Sequence, residues 1–223
     1  MSARQEKPFV TWILLMAIAI MFVLESLSGG STSVQTLLAL GAKTNFAVQG
    51  GDWWRLITPI FLHIGVIHIL TNGFTLFYVG SILEPMIGHT RYFVIFMLSG
   101  IVGNLASFAF GANNAISDGA STSLFGMFAA FLALALIYKE NNFLRELGKT
   151  FLALIVINLL MDLTMTGIDI WGHLGGALGG FLLGISLGIP GVKRPNVLIR
   201  IASLIVLLVI SYYMYTKGMV VYG

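Results

Sequence analysis

Cysteine is absent from this 223-residue chain, which excludes a disulfide framework, a thiolate metal site and a cysteine nucleophile together. Charge is scarce as well. Only 9% of residues are Asp, Glu, Lys or Arg, where soluble domains carry about 25%, while 57% are hydrophobic. With so little polar surface to offer water, the chain reads as one transmembrane domain over 1–223. A net charge of +3, scattered along the chain, is too small to hold nucleic acid, and no nucleic-acid partner is expected. The apolar run from Phe9 to Leu27 follows a short basic stretch, as a signal peptide would. No small-x-small cleavage site follows it and further apolar runs come after, so it reads as a retained first helix.

What the chain has in abundance is apolar runs of roughly 20 residues, the length that crosses the hydrocarbon core. They fall at about 9–28, 61–83, 92–110, 121–138, 150–167, 171–189 and 197–216, which predicts an all-α polytopic membrane protein lying in a lipid bilayer. The connections are short except for residues 29–60, where Gly29-Gly30, Gly50-Gly51 and Trp53-Trp54 suggest irregular structure at the level of the lipid headgroups. Lysine and arginine set the expected orientation. With a cytoplasmic N-terminus, Arg4, Lys7, Arg91, Lys139, Arg145, Lys149, Lys193, Arg194 and Arg200 lie inside, and Lys43, Arg55 and Lys217 outside. Nine against three accounts for all 12, so the N-terminus is expected inside and the C-terminus outside.

Under that orientation spans two, four and six all begin in the outer leaflet. His63, His68 and Asn72 are expected in the first turns of span two, Ser121 opens span four, and His173 opens span six. At about 1.5 Å per residue all lie within roughly 10–15 Å of the outer surface. Polar residues in membrane helices mark functional sites by default. A serine hydroxyl is a poor nucleophile until a base removes its proton, and an imidazole is such a base. Small residues favour their approach: Gly172, Gly176, Gly180, Gly184 and Gly188 recur every four positions, and Gly126, Ala130 and Ala133 form a small face on span four. Acyl transfer also needs donors aimed at a developing oxyanion, and the Ser121 N–H, His68 and Asn72 can supply them. Taken singly, each has a plainer reading: a helix cap for the serine, interhelical hydrogen bonding for the histidines and asparagine. Their shared depth argues for chemistry.

These residues resemble a known family, the rhomboid intramembrane serine proteases, over Trp54 to Gly180. The likeness rests on Trp54-Arg55 in the first loop, on His63, His68 and Asn72, on Gly119-Ala120-Ser121 continuing into Leu124-Phe125-Gly126, and on His173-Leu174-Gly175-Gly176. Gly80 and Glu84 fit the end of span two. No single motif is specific; their order and spacing are. The resemblance implies a six-helix rhomboid-like core, about 9–189, with a seventh C-terminal transmembrane helix at about 197–216. It implies a Ser–His dyad of Ser121 as nucleophile and His173 as base, with the Ser121 amide, His68 and Asn72 at the oxyanion and Phe125 packed on the imidazole. The implied substrates are single-span transmembrane proteins cut near their external end, in a multi-pass protein of the cell membrane.

Two positions depart from the family pattern. Thr122 stands where glycine is usual, and a β-branched residue there can narrow the site or shift its oxyanion geometry. Gly172 replaces an alanine, a small-for-small change. Of the nearby acids, Asp169 either orients His173 or is a solvated loop aspartate at the start of its helix, where it suits the dipole, and the second reading is preferred. Asp162 either lines the water supply or reaches the interface, and the residues leave both open. Glu84 and Arg91 read as structural anchors, and Asn104 and Ser107 as packing groups. The competing readings are a catalytically inactive relative that binds membrane helices, and a transporter, which the absence of an internal repeat disfavours. His63 and His68 are five apart with no glutamate between them, so no metal is expected, and no cofactor.

Overall fold

A backbone crossing hydrocarbon has no water to bond, so each N–H must find its carbonyl within the same segment, and the apolar runs of this chain form helices. The computed structural model describes residues 7–113, 115–165, 167–192 and 195–220. In chain order these form α1 (Phe9–Leu27), the short α2 (Val34–Ala39) and α3 (Asn45–Gln49), two 3₁₀ turns (Trp53–Leu56 and Thr58–Phe61), α4 (Gly65–Ile87), α5 (His89–Phe110), α6 (Ser121–Ile137), α7 (Asn142–Asp162), α8 (Ile170–Leu187) and α9 (Val197–Val220). Among the described residues the one β-bridge joins Lys43 and Ser117. Five helices, α1, α4, α5, α8 and α9, are long and apolar enough to cross a membrane; α6 is apolar but shorter. Arg4, Lys193 and Arg194, used for the expected orientation, lie outside the described residues.

Two of the segments expected as spans form helices with other bounds, for local reasons. The second, expected at 61–83, forms over Gly65–Ile87 because Thr58–Phe61 winds into a 3₁₀ turn around Pro59. His63 therefore lies ahead of α4 instead of within it. The fifth, expected at 150–167, runs from Asn142 to Asp162. The Asn141 side chain accepts the Leu144 N–H at 3.1 Å and starts the helix well before its apolar stretch, so Arg145, Glu146 and Lys149 are helical too.

Helices α5, α6 and α8 form the centre, and their glycines decide how closely they meet. Gly176 rests on the carbonyl of Thr122 and Gly180 on the backbone of Gly126. A Cβ at Gly184 would stand 2.9 Å from the Cβ of Ala133. Without a hydrophobic force between helices in lipid, such backbone-to-backbone packing is what associates them. The expected small-residue seam between spans four and six is thus present from Gly176 to Gly184; Gly188 instead ends α8 with φ +56°. Outside this centre, α1, α4, α7 and α9 keep apolar side chains such as Phe74, Ile157 and Leu208 on the exterior.

Each end of the bundle is tied by polar contacts. At the end remote from Ser121, the fully buried Glu84 carboxylate accepts the N–H of Val10 at 2.9 Å, the N–H of Thr11 at 2.7 Å and the Thr11 hydroxyl at 2.6 Å, and pairs with His89 Nδ1 at 2.6 Å. Glu84 is a structural anchor that satisfies the open N–H groups at the start of α1. Arg91 Nη1 donates to the Ile87 carbonyl at 3.2 Å. At the Ser121 end, Asn104 Nδ2 donates to the Leu56 carbonyl at 2.9 Å, fixing the 3₁₀ turns against α5.

Candidate active site

The turn that delivers Ser121 is pinned from both sides. Gly119 holds φ +111°, open to glycine at little cost, and its N–H donates to the Pro59 carbonyl at 2.8 Å. The Ala120 N–H donates to His63 Nε2 at 3.4 Å, and Asp118 Oδ2 accepts the Ile64 N–H at 2.8 Å. Ser121 is then the first residue of α6. His63, fully buried, also gives its own N–H to Glu25 Oε1 at 2.9 Å. Burial, with His68 beside it, pushes the His63 imidazole down to about 4, so it stays neutral and accepts from the turn. It is a scaffold for the serine, outside the cavity described below.

His173 comes from the first turn of α8. Asp169 caps that helix: Oδ1 accepts the Gly172 N–H at 2.9 Å and Oδ2 accepts the Ser117 hydroxyl at 2.7 Å. Asp169 therefore caps and does not orient His173. The imidazole stacks on Phe125, centroids 4.2 Å apart with 7° between planes. Its Nε2 lies 2.9 Å from Ser121 Oγ, and its Nδ1 lies 2.6 Å from Asp162 Oδ2. The last contact is the one the sequence leaves open. The short connection from α7 to α8 turns the acid at the end of one helix onto the histidine at the start of the next.

Ser121 and His173 open onto a cavity of about 880 Å³, walled by α4, α6 and α7 and by the segments around Asp118 and Ile168. His68 and Asn72 face the Gly119 turn from α4. A Cβ on Gly119 would stand 2.7 Å from His68 Nε2 and 3.4 Å from Asn72 Nδ2. The Asn72 amide nitrogen is buried and has no hydrogen-bond partner among the described residues. His68 Nδ1 lies 3.5 Å from Asp118 Oδ2. Sequence reasoning thus named four residues that share one cavity, Ser121, His173, His68 and Asn72.

Thr122 lines the cavity, and its side chain is largely buried in a notch where a Cβ on Gly103 would stand 2.8 Å, and one on Gly172 3.0 Å, from its atoms. The glycine at 172 and the threonine at 122 fit each other. Behind the turn, a second polar chain was not legible in the sequence. The buried Lys43 Nζ donates to Ser107 Oγ at 2.9 Å and to Asn45 Oδ1 at 3.1 Å, and Ser107 Oγ lies 3.1 Å from Ser117 Oγ, which bonds Asp169. Burial pushes the Lys43 ammonium down to about 8 against the pull of Asp169. Among the described residues, no cluster of His, Asp and Glu is arranged to hold a metal ion.

Comparison with known proteins gives a match to the family model described as Rhomboid domain over residues 50–189. The chain is 38% identical over 212 residues to Rhomboid protease GluP of Bacillus subtilis (strain 168), covering 95% of this chain and 41% of that protein. It is 39% identical over 154 residues to RHOMBOID-like protein 6, mitochondrial, of Arabidopsis thaliana, covering 67% and 48%. With Rhomboid-like protease 3 of Toxoplasma gondii it shares 31% over 174 residues, covering 75% and 64%. The chain spans 41% to 64% of the length of these relatives.

Proposed function

Because the chain belongs to the rhomboid family, we propose that it is an intramembrane serine endopeptidase that hydrolyses peptide bonds in or near the transmembrane segments of other proteins. The observation that carries this reading is the 2.9 Å contact between Ser121 Oγ and His173 Nε2 at the wall of a cavity inside an apolar bundle. In it Ser121 attacks the scissile carbonyl as its proton passes to His173 Nε2. The imidazolium then protonates the departing amine, and the same base activates the water that releases the acyl group. The backbone N–H of Ser121, His68 and Asn72 stabilise the oxyanion, and the unpartnered Asn72 amide is a donor held ready for it. The apolar walls of the cavity suit a single-span substrate, which must unwind there because a helical peptide bond is shielded and already hydrogen-bonded.

In this reading 1–223 is one domain. The core of about 9–189 has six spans and the helix at 197–216 adds a seventh; α6 and α7 cross with the five helices that are long and apolar enough by themselves. The N-terminus is cytoplasmic and the C-terminus external, which puts the cavity near the outer face of the cell membrane.

The test uses purified protein in liposomes with a fluorescent single-span substrate, comparing wild type with Ser121→Ala and His173→Ala. Cleavage by wild type alone, with fluorophosphonate labelling lost in Ser121→Ala, is the expected result. Absence of both cleavage and labelling in wild type would instead support a catalytically inactive protein that binds membrane helices.

A further inference from the structure

Asp162 occupies a place that is costly for a carboxylate. It is the last residue of α7, where the helix dipole presents its negative end, and its side chain is 6% exposed. A buried charge needs a partner, and among the described residues no lysine or arginine pairs with it. Among the described residues its ion-pair partner is the His173 imidazole, with Oδ2 2.6 Å from Nδ1. We propose that Asp162 is a positioning residue for the reaction proposed above, completing a Ser–His–Asp triad with Ser121 and His173. The inference rests on that assignment.

The argument follows from what each group can donate. A carboxylate only accepts, so the proton of the neutral imidazole sits on Nδ1. Nε2 is then left with its lone pair facing Ser121 Oγ at 2.9 Å, and the serine hydroxyl donates to it. The opposite tautomer would place N–H against O–H and leave the serine without a base. The ring is held in plane by Phe125 at 4.2 Å, and Asp162 sets its rotation within that plane. When His173 takes the serine proton, both its nitrogens become donors and Asp162 faces the new charge. The carboxylate keeps accepting throughout and no proton moves to it. Asp169, the other acid near His173, has both oxygens committed to Gly172 and Ser117 and cannot take this role.

The test compares wild type, Ser121→Ala, Asp162→Asn, Asp162→Ala and Asp162→Glu in liposomes, measuring kcat and KM with the fluorescent substrate and melting temperature in detergent. The expected result is a loss in kcat on the order of 10²-fold for Asp162→Asn and Asp162→Ala at little-changed KM, with partial recovery in Asp162→Glu. A wild-type-like kcat in Asp162→Asn, while Ser121→Ala is inactive, would overturn the role of Asp162 and leave the protease assignment standing. An inactive wild type that is also unlabelled by fluorophosphonate would remove both. Nitrogen-15 NMR of histidine-labelled wild type, assigned with His173→Gln, does not depend on any Asp162 variant folding. Protonated Nδ1 with bare Nε2 on His173 is expected, and the reverse tautomer would overturn the proposal.

Discussion

Gly119 touches His68: a methyl added to its α-carbon would stand 2.6 Å from the imidazole Cε1 and 2.7 Å from Nε2. The same residue holds φ +111°, where any side chain is strained by about 1–2 kcal/mol. Gly119→Ala is therefore expected to displace His68 or the serine turn and to lower kcat by about 100-fold or more. Steady-state cleavage beside a melting curve checks this; turnover within about threefold of wild type would show that the turn can give way.

Asn72 carries a buried amide donor with no partner among the described residues, a condition that costs about 1–3 kcal/mol and is tolerated where it serves a purpose. Asn72→Ala should lower kcat by about 10²–10³-fold, the size of one lost oxyanion donor, while melting temperature holds or rises. A fall in stability without a fall in kcat would make Asn72 a packing residue.

The Thr122 hydroxyl is buried in its glycine notch without a hydrogen-bond partner among the described residues. Replacing it by a methyl keeps the shape and removes the unpaired group, so Thr122→Val is expected to be as stable as wild type or more so, with kcat near wild type. A marked loss of activity in this variant would show that the hydroxyl reaches the reaction.

Glu84 gathers three donors from the start of α1 and the His89 imidazole. Glu84→Ala leaves the Val10 and Thr11 donors open in a buried place and should cost roughly 3–5 kcal/mol, read as a lowered midpoint in detergent unfolding. Because the anchor is at the end of the bundle remote from Ser121, folded protein should keep its KM.

His63 links acidity to stability. Its imidazole titrates at about 4 in the fold against about 6.5 when unfolded, so between these values the unfolded chain binds the proton first. Stability is full above about pH 6.5 and falls as the pH drops towards 4, by about 3 kcal/mol from this group. Melting temperatures across pH 4 to 7 should slope less in His63→Gln than in wild type, and parallel slopes would assign the effect elsewhere.

Much of this molecule could be read from residue order. The glycines of α8 are spaced for a helix seam, and apolar length marks most of the long helices to within a few residues. What escaped the reading is specific. Helix α7 begins among charged residues, because a capping asparagine does not require apolar neighbours. Lys43, counted among the external charges, is fully buried, since its partners Asn45 and Ser107 come from α3 and from α5. His63 was grouped with His68 and Asn72 as a helix residue, yet a 3₁₀ turn sets it apart as a support for Ser121. The partner of Asp162 was invisible because it depends on how a short connection folds back, which spacing alone does not fix.

The separation of 52 positions from Ser121 to His173 carries a further consequence, one of timing. During synthesis the serine leaves the ribosome long before the helix that carries His173, and the glycine seam that joins them cannot close until α8 is complete. In the proposed reading, the pair is therefore completed only by the last step of assembling the core.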